Sequence, residues 1–306
     1  MKFSEYQERA LLTDKTPAAK SASIDMSRLV PLLGLAGEAG QLLAEYKKRL
    51  RDGPNHVLFV DRVAEELGDI LWYVANLASK YDLDLEDIAA QNLEKVGALY
   101  GEETGGRPFD QKFEEGERFP RRIEVHFVQV CEENRVEVRT EINGQLIGSA
   151  LTDNAYKDDG YRFHDVFHIA YAAVLGWSPV LRGLMKLKRR SDPLVDEVED
   201  GGRAAVIEEG IVAAAFDYAR RHQFLESVTD IDEEFLSTIR GMCTHLEVAS
   251  QPPSAWRRAV LEGFAIWRKV VANDGGWVIA DLDQRTLHYE GAADRATTTA
   301  AADADE

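Results

Sequence analysis

Glu65-Glu66-Leu67-Gly68-Asp69-Ile70-Leu71-Trp72-Tyr73 sets acidic side chains three apart inside an apolar run. Upstream, Gly34-Leu35-Ala36-Gly37-Glu38-Ala39-Gly40-Gln41-Leu42-Leu43-Ala44-Glu45 repeats the layout, with Glu38 and Gln41 three apart. Side chains at i and i+3 share one face of a helix. Two such helices laid face to face bring oxygen side chains to one point, and hard cations such as Mg²⁺ take oxygen ligands.

Working outward, apolar residues recur at three- and four-residue spacing through Leu32, Leu35, Ala36, Ala39, Leu42, Leu43 and Tyr46, which predicts a helix over about 26–51. Asp52-Gly53-Pro54 stops it. A second helix is expected over about 61–81, with the stripe Val63, Ala64, Leu67, Ile70, Leu71, Val74, Leu77 and Ala78. Glu66, Asp69, Tyr73 and Asn76 flank that stripe as Glu38, Gln41 and Glu45 flank the first. The two helices are expected to bury their stripes together and to line a groove with carboxylates. Gly34, Gly37, Gly40 and Gly68 lie inside these helices although glycine costs about 1 kcal/mol there against alanine. They suggest the close approach of a neighbouring helix or a ligand. A short helix over 3–12 precedes the pair, and a further helix starts near Leu85 and carries Asn92 and Lys95.

These residues resemble the MazG-like all-α nucleoside triphosphate pyrophosphohydrolases. The likeness rests on the two acidic runs, on Asn92-Leu93-Glu94-Lys95, and on the segment from Arg107-Pro108-Phe109-Asp110 to Phe119-Pro120-Arg121, taken as the tail of such a domain. It covers about residues 1–122. It implies an all-α helical bundle and hydrolysis of a nucleoside or deoxynucleoside triphosphate to monophosphate and pyrophosphate, with Mg²⁺ as cofactor and Mn²⁺ as a substitute. It implies Glu38, Gln41, Glu66 and Asp69 as metal ligands, Glu38 and Glu66 as catalytic groups, and Asn92, Lys95 and Lys47 as substrate contacts. Gln41 departs from the family pattern, which has a glutamate there: an amide oxygen coordinates but brings no charge. Glu45 and Glu65 are acids near enough to compensate. The resemblance also implies a homodimer that completes the bundle.

Bulk composition agrees with a small charged substrate. The chain has 306 residues, enough for two domains. Its 54 acidic against 36 basic residues give a charge of −18. Such a surface repels a nucleic-acid backbone, but does not repel a polyphosphate whose charge a metal offsets. Two cysteines, Cys131 and Cys243, are too few for a disulfide framework, so a cytoplasmic location is expected. No apolar run of about 18 residues predicts a membrane span.

The expected domains are 1–100 for the MazG-like bundle, 101–120 for a Gly- and Pro-punctuated linker or arm, 121–290 for an α+β domain, and 291–306 for a disordered tail. In the α+β domain, strands are expected over 123–131, 136–142 and 145–150, with Asn143-Gly144 as a hairpin turn. Helices follow at about 161–176, 202–222, 232–246 and 254–273. A last hairpin over 277–289 is expected to join a small antiparallel sheet with helices on one side. The domain faintly resembles one that accompanies some MazG-like proteins.

Within this half, His164 and His168 stand at i and i+4 on one helix face, a spacing that can bind metal. With Glu208 or Glu209 they form a second-site candidate. Glu208-Glu209-Gly210-Ile211 loosely echoes the acidic run at Glu65-Glu66. Lys186, Lys188, Arg189 and Arg190 form the only dense basic run, read as a solvated helix end or a phosphate holder. Two alternatives to the hydrolase remain open on these residues. One is a nucleotide sensor with a weakened metal site, and the other is a separate metal-dependent activity in the second domain.

Overall fold

The computed structural model describes residues 1–15, 26–100, 108–132 and 135–291. The chain forms two compact units, 1–97 and 98–306. The expected tail, and the part of the expected linker before residue 108, lie outside the described residues.

The first unit is helical: α1 (Phe3–Leu12), α2 (Met26–Asp52), α3 (Phe59–Lys80) and α4 (Leu85–Tyr100). Helix α2 ends where Gly53 adopts a left-handed φ of 58° and Pro54 follows, and Arg49 Nη1 donates to the Gly53 carbonyl at 2.7 Å. Helices α2 and α3 then run antiparallel. Arg28 reaches the Lys80 carbonyl at one end, and the rings of Tyr46 and Phe59 meet edge to face at 5.1 Å at the other. Helix α1 is stitched to them by side chains. Trp72 Nε1 donates to Thr13 Oγ1 at 2.8 Å, Lys80 pairs with Asp14, and the Gln7 amide both donates to the Leu83 carbonyl and accepts from the Leu85 N–H.

The apolar stripes of α2 and α3 are only partly covered, which corrects the expectation that they bury one another. Ala10, Ala75 and Leu85 form a small buried cluster with Tyr6, Trp72 and Val74 packed on it. Leu43, Tyr46 and Leu67 stay at least half exposed, Leu43 at 70%. Two helices meet along a line, and what lies off that line needs another surface to cover it.

The second unit carries one antiparallel sheet of β1 (Arg122–Glu132), β2 (Arg135–Ile142), β3 (Gln145–Leu151), β4 (Gly275–Asp281) and β5 (Thr286–Glu290), in the order β3-β2-β1-β4-β5. The expected Asn143-Gly144 turn joins β2 to β3, both residues at positive φ. The closing hairpin joins the sheet through β4 beside β1. Ile123, Val125 and Phe127 alternate inward on β1, met by Val138 and Ile142 on β2 and Val278 and Ala280 on β4.

The inward residues share one core with the helices. Helix α5 (Asp165–Leu175) is buried through almost its whole length. Helix α10 (Pro253–Ala272) packs on it closely enough that a Cβ at Gly263 would stand 3.1 Å from the Phe167 ring. Helices α6 (Pro179–Leu184), α7 (Pro193–Val198), α8 (Gly202–Arg221) and α9 (Glu233–Gly241) complete the unit.

Two readings of the sequence change here. Residues 108–120, expected within a linker, belong to the second unit. Phe113, Phe119 and Asp110 are buried, and Asp110 takes a hydrogen bond from the Phe119 N–H and an ion pair from buried Arg182 at 3.0 Å. The basic run is neither a solvated end nor a phosphate holder at Arg189. That guanidinium is buried, bonded to Asp200 and, through two nitrogens, to Glu247.

Candidate active site

Helices α2 and α3 bring one carboxylate oxygen each from Glu38, Glu66 and Asp69 within 4.8 Å of one another. The three differ in surroundings. Glu66 is 9% exposed, and its Oε2 is buried without a hydrogen-bond partner. Burial, and then the charges of Glu38, Asp69 and Glu65, raise its carboxyl above the ordinary glutamate range. Glu38 is half-buried and accepts a 2.6 Å hydrogen bond from Gln41 Nε2. Asp69 is exposed on the side of α1, where burial and then the Asp69 charge raise the Tyr6 hydroxyl. Like charges are thus gathered at one point on a helix pair, and among the described residues no basic side chain forms an ion pair with them; Arg62, which feels the Glu66 charge, pairs with Glu65.

Residues 31–98 match the MazG nucleotide pyrophosphohydrolase domain, and residues 105–293 match the MazG C-terminal domain. The chain belongs to the MazG family. A curated relative, the Gene 37 protein of Mycobacterium phage L5, is 41% identical over 66 residues, which is 21% of this chain and 58% of that protein. This chain therefore spans less than two thirds of the relative's length. No solved structure matches. The segment from Pro108 to Arg121, read as the tail of the pyrophosphohydrolase domain, instead falls within the match to the MazG C-terminal domain.

In the MazG pyrophosphohydrolase domain the donor set fits a hard divalent cation. It offers three carboxylates, one with a buried oxygen that has no hydrogen-bond donor among the described residues. Gln41 adjoins that group through Glu38, to which its amide nitrogen donates at 2.6 Å. The two acids expected to compensate are engaged elsewhere. Glu45 is held by Lys48 and by His56 Nε2 at 2.8 Å, and Glu65 pairs with Arg62 at 2.6 Å. Lys47, Asn92 and Lys95 are exposed.

The aromatic neighbours are structural. Trp72 anchors α1, and the Tyr73 ring lies over Gly34, where an added Cβ would come within 2.3 Å of it. That close approach accounts for Gly34. At Gly37, Gly40 and Gly68 an added Cβ would meet nothing within 4 Å among the described residues, so no neighbouring helix of this chain accounts for them. Asn76 is fully buried, and neither amide atom has a partner.

The MazG C-terminal domain holds a second cluster. His164 caps the start of α5, and His168 lies one turn on. One nitrogen from each and one Glu209 oxygen fall within 4.8 Å of one another. His168 is 1% exposed. Its Nδ1 lies 2.7 Å from Glu208 Oε1, and its Nε2 lies 3.5 Å from Glu209 Oε1. Burial would lower the His168 imidazole, but the Glu208 charge and hydrogen bond outweigh it and raise it to about 10. Glu208 itself is fully buried and also accepts from the Ser178 hydroxyl at 2.6 Å and the Val180 N–H at 2.8 Å.

Sequence reading grouped Glu208 and Glu209 as interchangeable; the fold separates them, one behind the imidazole and one in front. It missed the segment that holds Glu208. Ser178-Pro179 and Asp192-Pro193 are helix starts, each with a capping side chain followed by proline, and that signal stood in the sequence.

Proposed function

We propose that the protein hydrolyses a nucleoside or deoxynucleoside triphosphate to the monophosphate and pyrophosphate, with Mg²⁺ or Mn²⁺ bound by Glu38, Glu66 and Asp69. The observation that carries this is the convergence of those three carboxylates, one buried with an unsatisfied oxygen, inside the segment that matches the pyrophosphohydrolase family. The bound cation supplies charge neutralisation for the phosphate oxygens. The protein's own part is to hold and move a proton. Glu66, whose carboxyl is raised by burial and its acidic neighbours, takes the proton of the attacking water. Glu38, tied to the Gln41 amide, holds its oxygen toward the cation.

Lys47, Asn92 and Lys95 are the groups proposed to meet phosphate or sugar. We place them at a surface completed by a second copy of this chain. The uncovered apolar positions Leu43, Leu67 and Leu93 on α2, α3 and α4 are the face such a homodimer would bury. Nucleotide binding without turnover is the second reading, favoured by the uncharged Gln41.

One assay separates the two readings. Each common NTP and dNTP is incubated with Mg²⁺ or Mn²⁺, and the mono-, di- and pyrophosphate products are resolved. The expected result is monophosphate with pyrophosphate, reduced about 10²- to 10⁴-fold by Glu66→Gln, from a protein that sediments as a dimer. Binding with no turnover on any nucleotide would replace the hydrolase reading with the sensor.

A further inference from the structure

We propose that the MazG C-terminal domain of this chain binds a divalent first-row transition metal through His164 Nε2, His168 Nε2 and the Glu209 carboxylate. The site is separate from the acidic groove, and its chemistry differs.

Hydrogen bonds at the far side of each ring carry the argument. His164 Nδ1 lies 2.9 Å from the Tyr161 carbonyl, which can only accept, so Nδ1 bears the proton and Nε2 is the ring's ligand atom. His168 Nδ1 faces Glu208 at 2.7 Å and is oriented in the same way. Histidines that bind metals commonly donate their other N–H to a carboxylate or a carbonyl, which fixes ring and tautomer. Both forms occur here, on adjacent turns of one helix.

The rings are also held sterically. The Tyr161 ring stacks on His164 at 4.5 Å, and His168 is enclosed by the core. What remains free is at the front. His168 Nε2 is buried and makes no well-formed hydrogen bond, facing only the Glu209 carboxylate at 3.5 Å, and a metal bound there would take the place of its proton.

A purely structural ion pair would not need the second histidine, nor a buried carboxylate held by Ser178 and Val180 behind the first. Two imidazoles and one carboxylate, with further positions open, suit zinc, iron, manganese or cobalt rather than magnesium. Access comes from the Glu209 side. Its side chain is 46% exposed and borders a cleft of about 330 Å³ lined also by Val180, Lys188 and Gly201. Asp165, whose Oδ1 lies 3.8 Å from His164 Nε2, is placed to join as a further ligand.

The test uses the full chain, stripped with EDTA, loaded with Co²⁺ alone and desalted. Wild type and Glu66→Gln should each retain one equivalent and show visible d–d bands of a nitrogen-ligated cobalt. Glu209→Gln, at a partly exposed position where the fold should survive, and His164→Gln, at a buried one, should each lose the bands and retain at least tenfold less. Glu208→Gln, which keeps the shape but weakens the hold on His168, should bind about 10- to 100-fold more weakly. The proposal is overturned if wild type retains no Co²⁺. It is overturned equally if retention survives His164→Gln and disappears in Glu66→Gln, which would place the metal in the acidic groove. Nucleotide turnover does not enter the readout, so failure here leaves the hydrolase proposal standing.

Discussion

The two units treat charge in opposite ways. In the second, buried charges are paired: Arg189 with Asp200 and Glu247, Arg182 with Asp110, and His168 with Glu208. In the first, Glu38, Glu66 and Asp69 are gathered, and among the described residues none of the three takes part in a salt bridge. A buried charge with a full set of partners is part of the framework. A like-charge cluster with an unsatisfied oxygen costs stability and calls for a ligand. The His164–His168 pair combines both conditions, hydrogen-bonded at each Nδ1 and facing loosely placed carboxylates at each Nε2, which is why it reads as a site and the Arg189 network does not.

The largest effect should come from breaking the framework. Arg189→Ala leaves Asp200 fully buried with its main partner gone, a loss of about 3–5 kcal/mol. Chemical unfolding should show it in the second unit's transition. If the cost is below about 1 kcal/mol, the contrast between framework and site is wrong, because the paired network would then be as dispensable as a surface bridge.

A smaller change sharpens the contrast from the other side. Gln41→Glu adds a carboxylate beside Glu38 and removes the amide that donates to it. Charge count tunes divalent affinity, so Mg²⁺ should bind about tenfold more tightly in titration calorimetry while the metal-free protein melts lower. A large rise in turnover from almost nothing would mark the natural protein as a binder, and an unchanged rate would mark Gln41 as a tolerated ligand-shell residue.

How much of this could be read from sequence follows from where each determinant lies. Glu38, Glu66 and Asp69 sit on two helices close in the chain, so helical period and spacing alone bring them together. The Asn143-Gly144 hairpin is equally local. Glu208 and Glu209 look identical in sequence because they are adjacent. Only the packing of α5 against α8 and the cap of α6 sends one behind the imidazole and the other in front. Arg189 lies in a basic run that resembles any solvated helix end; its partners stand 11 and 58 residues away. The uncovered stripes of α2 and α3 were misjudged because periodicity says which face is apolar and not whether anything covers it.

The smallest predicted effect is the most direct probe of the like-charge cluster. The Glu66 carboxyl is raised in the folded protein by burial and by its acidic neighbours. The folded form therefore keeps this proton at pH values where the unfolded chain, near the ordinary glutamate value of about 4.3, has lost it. In that window the native state binds more protons than the unfolded state, so stability from this group falls as pH rises and is flat above it. Other carboxyls, such as Asp232 with its Tyr218 and Phe235 hydrogen bonds, are held low and act with the opposite sign. The informative quantity is thus the difference in melting temperature between Glu66→Gln and wild type without divalent metal. It should grow by a few degrees in favour of the variant from about pH 4.3 upward, level off, and reverse when Mg²⁺ is added, since only the wild type then gains a full set of ligands. A difference that stays constant with pH would mean that Glu66 is already charged and balanced in the free protein, and the cluster would have lost its claim to be waiting for a cation.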